Sequence, residues 1–268
     1  MKLSEAVRTL AEAGIESAAY DARFIFSELG GISVAETVGG DPECHLPAVA
    51  DAIERRSKRE PLQYIIGSVD FYREKYRVSP SCLIPRQDTE ILVDYAVKNL
   101  PCGAVFADLC TGSGCVAISV LYNTKNTLAI GADISAGALG LARENAETNG
   151  VADRLTIAEC NVLEKALDTT FFAVLSNPPY VTSAAYSELA PEIYFEPREA
   201  FVGGDTGTEF YERITEIYHD KIAPLGFIAY EIGYDQADAL REIAKKHAMS
   251  CEILKDLSGH DRVAILKN

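Results

Sequence analysis

From about residue 87 onward, short apolar runs alternate with segments of helical periodicity, and this alternation restricts the fold of the 268-residue chain more than any other feature. AVFADL (104–109), LAIGAD (128–133), RLTIAE (154–159), FFAVLSN (171–177) and GFIAYEI (226–232) read as strands. Between them lie helices. Ile91, Leu92, Tyr95 and Ala96 mark one, Val116, Ala117, Val120 and Leu121 a second, and 135–149, 207–222 and 235–247 three more. Stretches near 250–255 and 262–266, joined by a short turn around Gly259, predict an antiparallel pair at the end of the sheet. Strands separated by crossover helices imply a mostly parallel sheet covered on both faces.

The first sixty residues carry no strand signal. Leu3, Ala6, Val7, Leu10 and Ala11 recur at helical spacing before Gly14, Asp21 to Leu29 predicts a second helix stopped by Gly30-Gly31, and Pro47 to Arg59 a third. The β-branched and aromatic segment 64–79, with Arg73-Glu74-Lys75 at its centre, suits a β-hairpin. The expected organisation is a helical domain over 1–62, a hairpin connector over 63–84 and an α/β domain over 85–268. The run Arg55-Arg56-Ser57-Lys58-Arg59 reads as a solvated helix face in preference to a docking patch.

Composition excludes several classes of function. Forty acidic side chains oppose 25 basic ones, a net charge of −15, which argues against a protein that grips nucleic-acid backbones. No apolar run approaches the roughly 20 residues needed to span a bilayer, and MKLSEAVRTLAEAG lacks the pattern of a signal peptide, so a soluble cytoplasmic protein is expected. Seven cysteines without a C-x-x-C pair, and four scattered histidines, indicate reduced packing cysteines and no metal.

The loop Asp108-Leu-Cys-Thr-Gly112-Ser-Gly114 joins a predicted strand to a helix, where glycines let a ligand approach the backbone closely. Gly112-x-Gly114-x-x-Ala117, with Asp133 at the end of the next strand, formally meets the dinucleotide fingerprint. The alternative is the site of an S-adenosylmethionine-dependent methyltransferase. A carboxylate at Asp108 opposes a pyrophosphate but suits a ligand bearing an ammonium and a sulfonium; its bland role is to cap the following helix.

Asn177-Pro178-Pro179-Tyr180 follows the strand at 171–177 and therefore also lies at the binding edge of the sheet. Two prolines remove backbone donors and leave carbonyl acceptors, and Asn177 adds a side-chain acceptor. That set suits a planar –NH2 group. The Asn177 side chain and the Pro178 carbonyl would orient its two N–H bonds while the lone pair faces an electrophilic methyl, and Tyr180 would offer an aromatic face.

DLCTGSG together with NPPY resembles the amino-methyltransferases. Pro85-Arg-Gln-Asp-Thr-Glu90, Asp133-Ile-Ser135, Asn145-Ala-Glu-Thr-Asn149, Phe195-Glu-Pro-Arg-Glu-Ala200, Gly204-Asp-Thr-Gly207 and Asp261-Arg-Val263 narrow the resemblance to the HemK/PrmC family. That family methylates the glutamine amide nitrogen of the GGQ motif in peptide-chain release factors. The resemblance covers about residues 60–268 and implies a Rossmann-like class I S-adenosylmethionine-dependent methyltransferase domain. It implies S-adenosylmethionine as cofactor, S-adenosylhomocysteine as product, release factors as partners, and neither membrane nor nucleic acid.

Residue by residue, the resemblance puts Cys110, Thr111, Gly112, Ser113 and Gly114 around the methionine part of the cofactor, with Asp108 near its ammonium. Asp133 would hold the ribose, and Asn161 and Val162 would lie beside the adenine. Some relatives carry tryptophan at the Val162 position; this chain has none. Asn177, Pro178, Pro179 and Tyr180 would receive the glutamine, with Asn177 also next to the cofactor. Arg86 and Glu90 read by themselves as a solvated turn residue and part of a helix N-terminus, whereas the resemblance implies that they and Glu196 shape the substrate cleft. The N-terminal helices read either as a stabilising cap on the catalytic domain or, by the resemblance, as a docking surface for the substrate. Glu231 and Asp261 read as structural strand-end residues. The runner-up is an adenine-N6 type nucleic-acid methyltransferase, which the charge and the PRQDTE and FEPREA segments disfavour; a non-catalytic methyltransferase-like module and an NAD-dependent oxidoreductase follow.

Overall fold

The structure, a computed structural model, describes residues 1–268. The chain divides into two compact units, Met1–Ser68 with Ala190–Phe195, and Val69–Leu189 with Glu196–Asn268. The first unit holds helices α1 (Leu3–Glu12), α2 (Ala18–Glu28), α3 (Val34–Gly39), α4 (Pro47–Ser57) and α5 (Leu62–Ile66). Leu3, Ala6 and Leu10 of α1 share one face and meet Ala22, Ile25 and Phe26 of α2 and Val49, Ala52 and Ile53 of α4 in a closed apolar core.

Two expectations change in this unit. The segment 62–66 is helical and not part of a hairpin: Pro61 starts the turn, Gly67 in left-handed geometry ends it, and Leu62, Tyr64 and Ile65 are buried. The basic run is not a solvated face either. Arg56 is buried and pairs with Asp21 at 2.7 Å and Glu192 at 3.1 Å, Arg59 reaches Glu192 at 3.0 Å, and Arg55 forks onto Glu60. Glu192 belongs to the short 190–195 segment, which no local pattern assigned to the N-terminal unit.

From Val69 onward the second unit holds the hairpin β1 (Ser68–Phe71, its first residue counted with the first unit) and β2 (Glu74–Arg77), followed by α6 (Glu90–Asn99), β3 (Val105–Leu109), α7 (Cys115–Asn123), β4 (Leu128–Asp133), α8 (Ala136–Thr148), β5 (Leu155–Glu159) and β6 (Phe171–Ser176). A two-residue strand β7 (Val181–Thr182) pairs with β8 (Val202–Gly204). The chain ends with α9 (Glu209–Tyr218), β9 (Ile222–Glu231), α10 (Ala237–Lys246), β10 (Ser250–Lys255) and β11 (Asp261–Lys267). Seven strands form one sheet in the order β10-β11-β9-β6-β3-β4-β5, antiparallel only where β11 meets β10 and β9. No helix is long and apolar enough to cross a membrane.

Side-chain alternation divides the core. Phe106, Ala173, Leu175, Phe227 and Ala229 face one layer with α6 and α7, while Ala107, Leu109, Val174, Ile228 and Tyr230 face the other with α9 and α10. The strand order turns at β3: the chain runs outward through β4 and β5, then returns to place β6 on the other side of β3. A crevice opens beyond the carboxyl ends of the strands at such a point.

Candidate active site

A cavity of about 520 Å³ lies in the second unit at that crevice, a size typical of small-molecule sites. Its floor is the ends of β4, β3 and β6. Leu109 and Ser176 are register partners, and Ser176 Oγ donates to the Leu109 carbonyl at 2.7 Å, tying the two strand ends from which the glycine loop and the NPPY segment leave.

The glycine loop is braced by two carboxylates. Asp108 has the same side-chain parity as Phe106 and so points toward α7. Its Oδ2 accepts from Thr111 Oγ1 at 2.6 Å and from the Ala117 N–H at 3.1 Å, so it caps the helix while lining the cavity. Burial pushes its pKa up to about 7 against those two donors. Asp133 grips the loop from β4: Oδ2 accepts from the Gly112 N–H and Oδ1 from the Ser135 N–H, both at 2.9 Å.

Cys110, Thr111, Gly112 and Ser113 line the cavity; Gly114 does not. Gly114 answers to packing: with φ +81°, its absent Cβ would stand 2.9 Å from Ile118 Cδ1 and 3.2 Å from Ala142 Cβ. A Cβ at Gly112 would meet nothing nearer than Cys82 at 3.7 Å. Ser113 Oγ, near the Cys115 thiol, is buried without a conventional hydrogen-bond partner in the chain. Beyond β5, Asn161 and Val162 also line the cavity. Asn161 organises its own turn, accepting from the Leu163 N–H at 3.1 Å and donating to Glu164 at 2.9 Å, and Val162 is buried.

At the NPPY segment, Asn177 and Pro179 line the cavity, whereas Pro178 and Tyr180 do not. Asn177 Nδ2 donates to Thr89 Oγ1 at 3.2 Å. The Tyr180 hydroxyl points back into the fold and donates to Glu231 Oε1 at 3.3 Å, so its phenol anchors the end of the segment. Gln236 Nε2 donates to the Tyr180 carbonyl at 3.1 Å. A Cβ at Gly203 would lie 2.2 Å from the Pro179 oxygen, so only glycine lets β8 lie this close to the prolines.

The three remaining candidates separate. Arg86 lines the cavity and pairs with Glu196, whose other oxygen accepts from the Ile84 N–H at 2.8 Å. Burial raises the Glu196 pKa and the Arg86 guanidinium opposes that rise. Glu90 is not brought to the cavity: its carboxylate accepts from the Tyr72 N–H at 2.8 Å and holds the hairpin against α6. Sequence reasoning missed Thr89, Gly203 and Gln236. Thr89 lay inside the quoted PRQDTE segment and Gly203 beside the quoted GDTG, but neither carries a chemical signature by itself.

Two family models match the chain, a PrmC N-terminal domain over residues 2–67 and a methyltransferase small domain over 87–200. A release factor glutamine methyltransferase of Geobacter sulfurreducens is 36% identical over 261 residues, spanning 95% of this chain and 91% of the relative. Another, of Thermodesulfovibrio yellowstonii, is 38% identical over 225 residues, covering 82% and 80%. The chain belongs to the release factor glutamine methyltransferase family. Solved structures place this family member's fold among the methyltransferases. A ribosomal protein L11 methylase of Lactobacillus delbrueckii subsp. bulgaricus (TM-score 0.53, 17% identity) covers 72% of this chain and 84% of its own. A methyltransferase of Pyrococcus furiosus (TM-score 0.54, 19% identity) covers 71% and 86%.

Proposed function

We propose that the protein transfers a methyl group from S-adenosylmethionine to the side-chain amide nitrogen of the GGQ glutamine in peptide-chain release factors. The observation that carries this reading is the shared cavity: Asn177 and Pro179 open into the space that Asp133 and the glycine loop enclose.

The residues present fit the cofactor. Ser113 Oγ is an unmet buried polar atom in the cavity, and Asp108 is a buried carboxyl that a neighbouring cation would favour in its charged form. Asp133 offers its carboxylate to the ribose hydroxyls, and Cys110 through Ser113 receive the methionine portion. Val162 and Ile134 supply apolar walls for the adenine in a chain without tryptophan. When bound, S-adenosylmethionine supplies a sulfonium-activated methyl group: its S–CH3 bond breaks as the N–CH3 bond forms, the amide loses one N–H proton to solvent, and S-adenosylhomocysteine is released.

The protein's own task is orientation. An amide nitrogen is a poor nucleophile because its lone pair is delocalised into the carbonyl. With Nδ2 engaged by Thr89, Asn177 presents Oδ1 to accept one N–H of the substrate glutamine, and a carbonyl of the Pro178-Pro179 pair accepts the other. Fixing both N–H bonds turns the lone pair toward the methyl and lowers the entropic part of the barrier. Arg86 and Glu196 hold the cavity-lining strip around Pro197, where the substrate loop would enter. A release factor as partner also places the protein in the cytoplasm, and the charge of −15 fits a protein substrate better than a nucleic acid.

The test is methyl transfer from labelled S-adenosylmethionine to a release factor with its GGQ glutamine intact or replaced. Label on the intact protein alone is expected. Label on both would move the acceptor elsewhere, and transfer only to DNA or RNA would overturn the substrate.

A further inference from the structure

Asn145 lies near the carboxyl end of α8, the helix that follows β4, and is 0% exposed. It opens the segment Asn145-Ala-Glu-Thr-Asn149, none of which lines the cavity. Its side-chain amide nevertheless makes three hydrogen bonds at the cavity's edge. Oδ1 accepts from the Arg77 N–H at 2.8 Å, and Nδ2 donates to the Arg77 carbonyl at 3.1 Å and to the Ser113 carbonyl at 2.9 Å. The orientation of the amide is forced, since two carbonyls require its NH2 end and an N–H requires its oxygen.

Both ends of this bridge lead to the cavity wall. The peptide between Ser113 and Gly114 is pinned on both sides, its carbonyl by Asn145 and its N–H by the Thr111 carbonyl at 2.8 Å. Fixing that plane fixes Ser113, which is 2% exposed, lines the cavity and carries the unmet Oγ. Arg77 ends β2, and the chain just beyond it supplies Ser81, Cys82, Leu83, Pro85 and Arg86 to the same cavity. Only the backbone of Arg77 is used, for its guanidinium pairs with Glu144 at the surface at 2.6 Å. We propose that Asn145 is a positioning residue of the cofactor site, holding the glycine loop at Ser113 and, through Arg77, the 81–86 wall in the arrangement that binds S-adenosylmethionine. This role rests on the S-adenosylmethionine reading of the cavity and is independent of the methyl acceptor.

Asn145→Asp is the nearest isostere: it keeps an acceptor for the Arg77 N–H and sets an oxygen against the two carbonyls. Asn145→Ala removes all three bonds and serves if a buried carboxylate prevents folding. By calorimetry, either variant should bind S-adenosylhomocysteine about tenfold more weakly than wild type, as follows when the loop holds its binding arrangement about one-tenth of the time. KM for S-adenosylmethionine should rise by a similar factor, with turnover at saturating cofactor within about threefold of wild type.

Asn149→Ala separates positioning from mere attachment of the hairpin. Asn149 Nδ2 donates to the Lys75 carbonyl at 3.2 Å and to the Asn145 carbonyl at 3.0 Å, so it ties β2 to α8 without touching the glycine loop. This variant should lose stability to urea yet bind S-adenosylhomocysteine within about twofold of wild type. Amide hydrogen exchange over residues 110–116 of the ligand-free protein should be faster in the Asn145 variants and unchanged in Asn149→Ala. Unchanged affinity and exchange in the Asn145 variants, or an equal loss of affinity in Asn149→Ala, would overturn the role. If wild type binds no S-adenosylhomocysteine, the cofactor reading fails, and the exchange comparison still decides whether Asn145 holds the loop.

Discussion

The loops after β3 and β6 leave neighbouring strand ends, yet they are supported in opposite ways. The glycine loop is braced from nearby in sequence. Asp108 holds Thr111 and Ala117, and Asp133, the last residue of the adjacent strand, holds Gly112. The NPPY segment is braced from afar: Thr89 holds Asn177, Glu231 and Gln236 hold Tyr180, and β8 packs on Pro179 through Gly203. A pocket that must receive one invariant small molecule can be built from a strand, a turn and a helix. A site that must grip a planar –NH2 group in one orientation draws its support from several elements that only the folded chain brings together. Changes near the glycine loop should therefore act on cofactor affinity, and changes around NPPY on turnover.

The largest effect that sharpens this contrast is expected from Gly203→Ala. A methyl group 2.2 Å from the Pro179 oxygen must displace the segment or β8. Turnover should fall more than about 100-fold while S-adenosylhomocysteine affinity changes by less than about fivefold. Calorimetry beside single-turnover kinetics checks both, and an equal loss of affinity would join the two loops into one unit.

Asp133→Ala should do the reverse. Removal of the carboxylate that holds the Gly112 and Ser135 N–H groups should weaken cofactor binding by about 10- to 100-fold, with turnover at saturating cofactor within about fivefold. Retained affinity would place the ribose contact elsewhere.

The remaining effect is on stability. Burial raises the pKa of Asp108 from 3.8, and that of Glu231 from 4.5, to about 7 in each case. Between the ordinary and the raised value the folded state holds a proton that the unfolded state has lost. Each group therefore subtracts stability as pH rises from about 4 or 4.5 toward 7, by at most about 1.4 kcal/mol per pH unit. Urea unfolding of the ligand-free protein across this range should show a steeper decline for wild type than for Asp108→Asn. Saturation with S-adenosylhomocysteine, whose ammonium favours the charged carboxyl, should reduce the Asp108 part and leave the Glu231 part. Identical slopes in wild type and Asp108→Asn would remove Asp108 from the account.

The same contrast explains what was legible in the sequence. The parallel sheet, its antiparallel end and the glycine loop follow from apolar periodicity and local glycine placement, and Asp133 follows from its position at a strand end. The basic run at 55–59 was misjudged for a physical reason. Charged residues read as solvated until distant partners are known, and Glu74 is buried against Ser119 and Asn123 as Arg56 is against Asp21 and Glu192. Segment 62–66 took helical form because Pro61 and Gly67 set its ends, over the strand preference of its β-branched residues. Thr89, Glu231 and Gly203 gain their roles only from side-chain parity and strand order, which no local pattern encodes.

Asn177→Ala tests the division of labour most directly, with S-adenosylhomocysteine affinity and methyl transfer to a release factor measured on the same preparation. The account predicts affinity within about threefold of wild type and turnover reduced by more than about 100-fold, because the lost acceptor acts on the reacting nitrogen. Parallel loss of affinity and turnover, or turnover close to wild type, would contradict it.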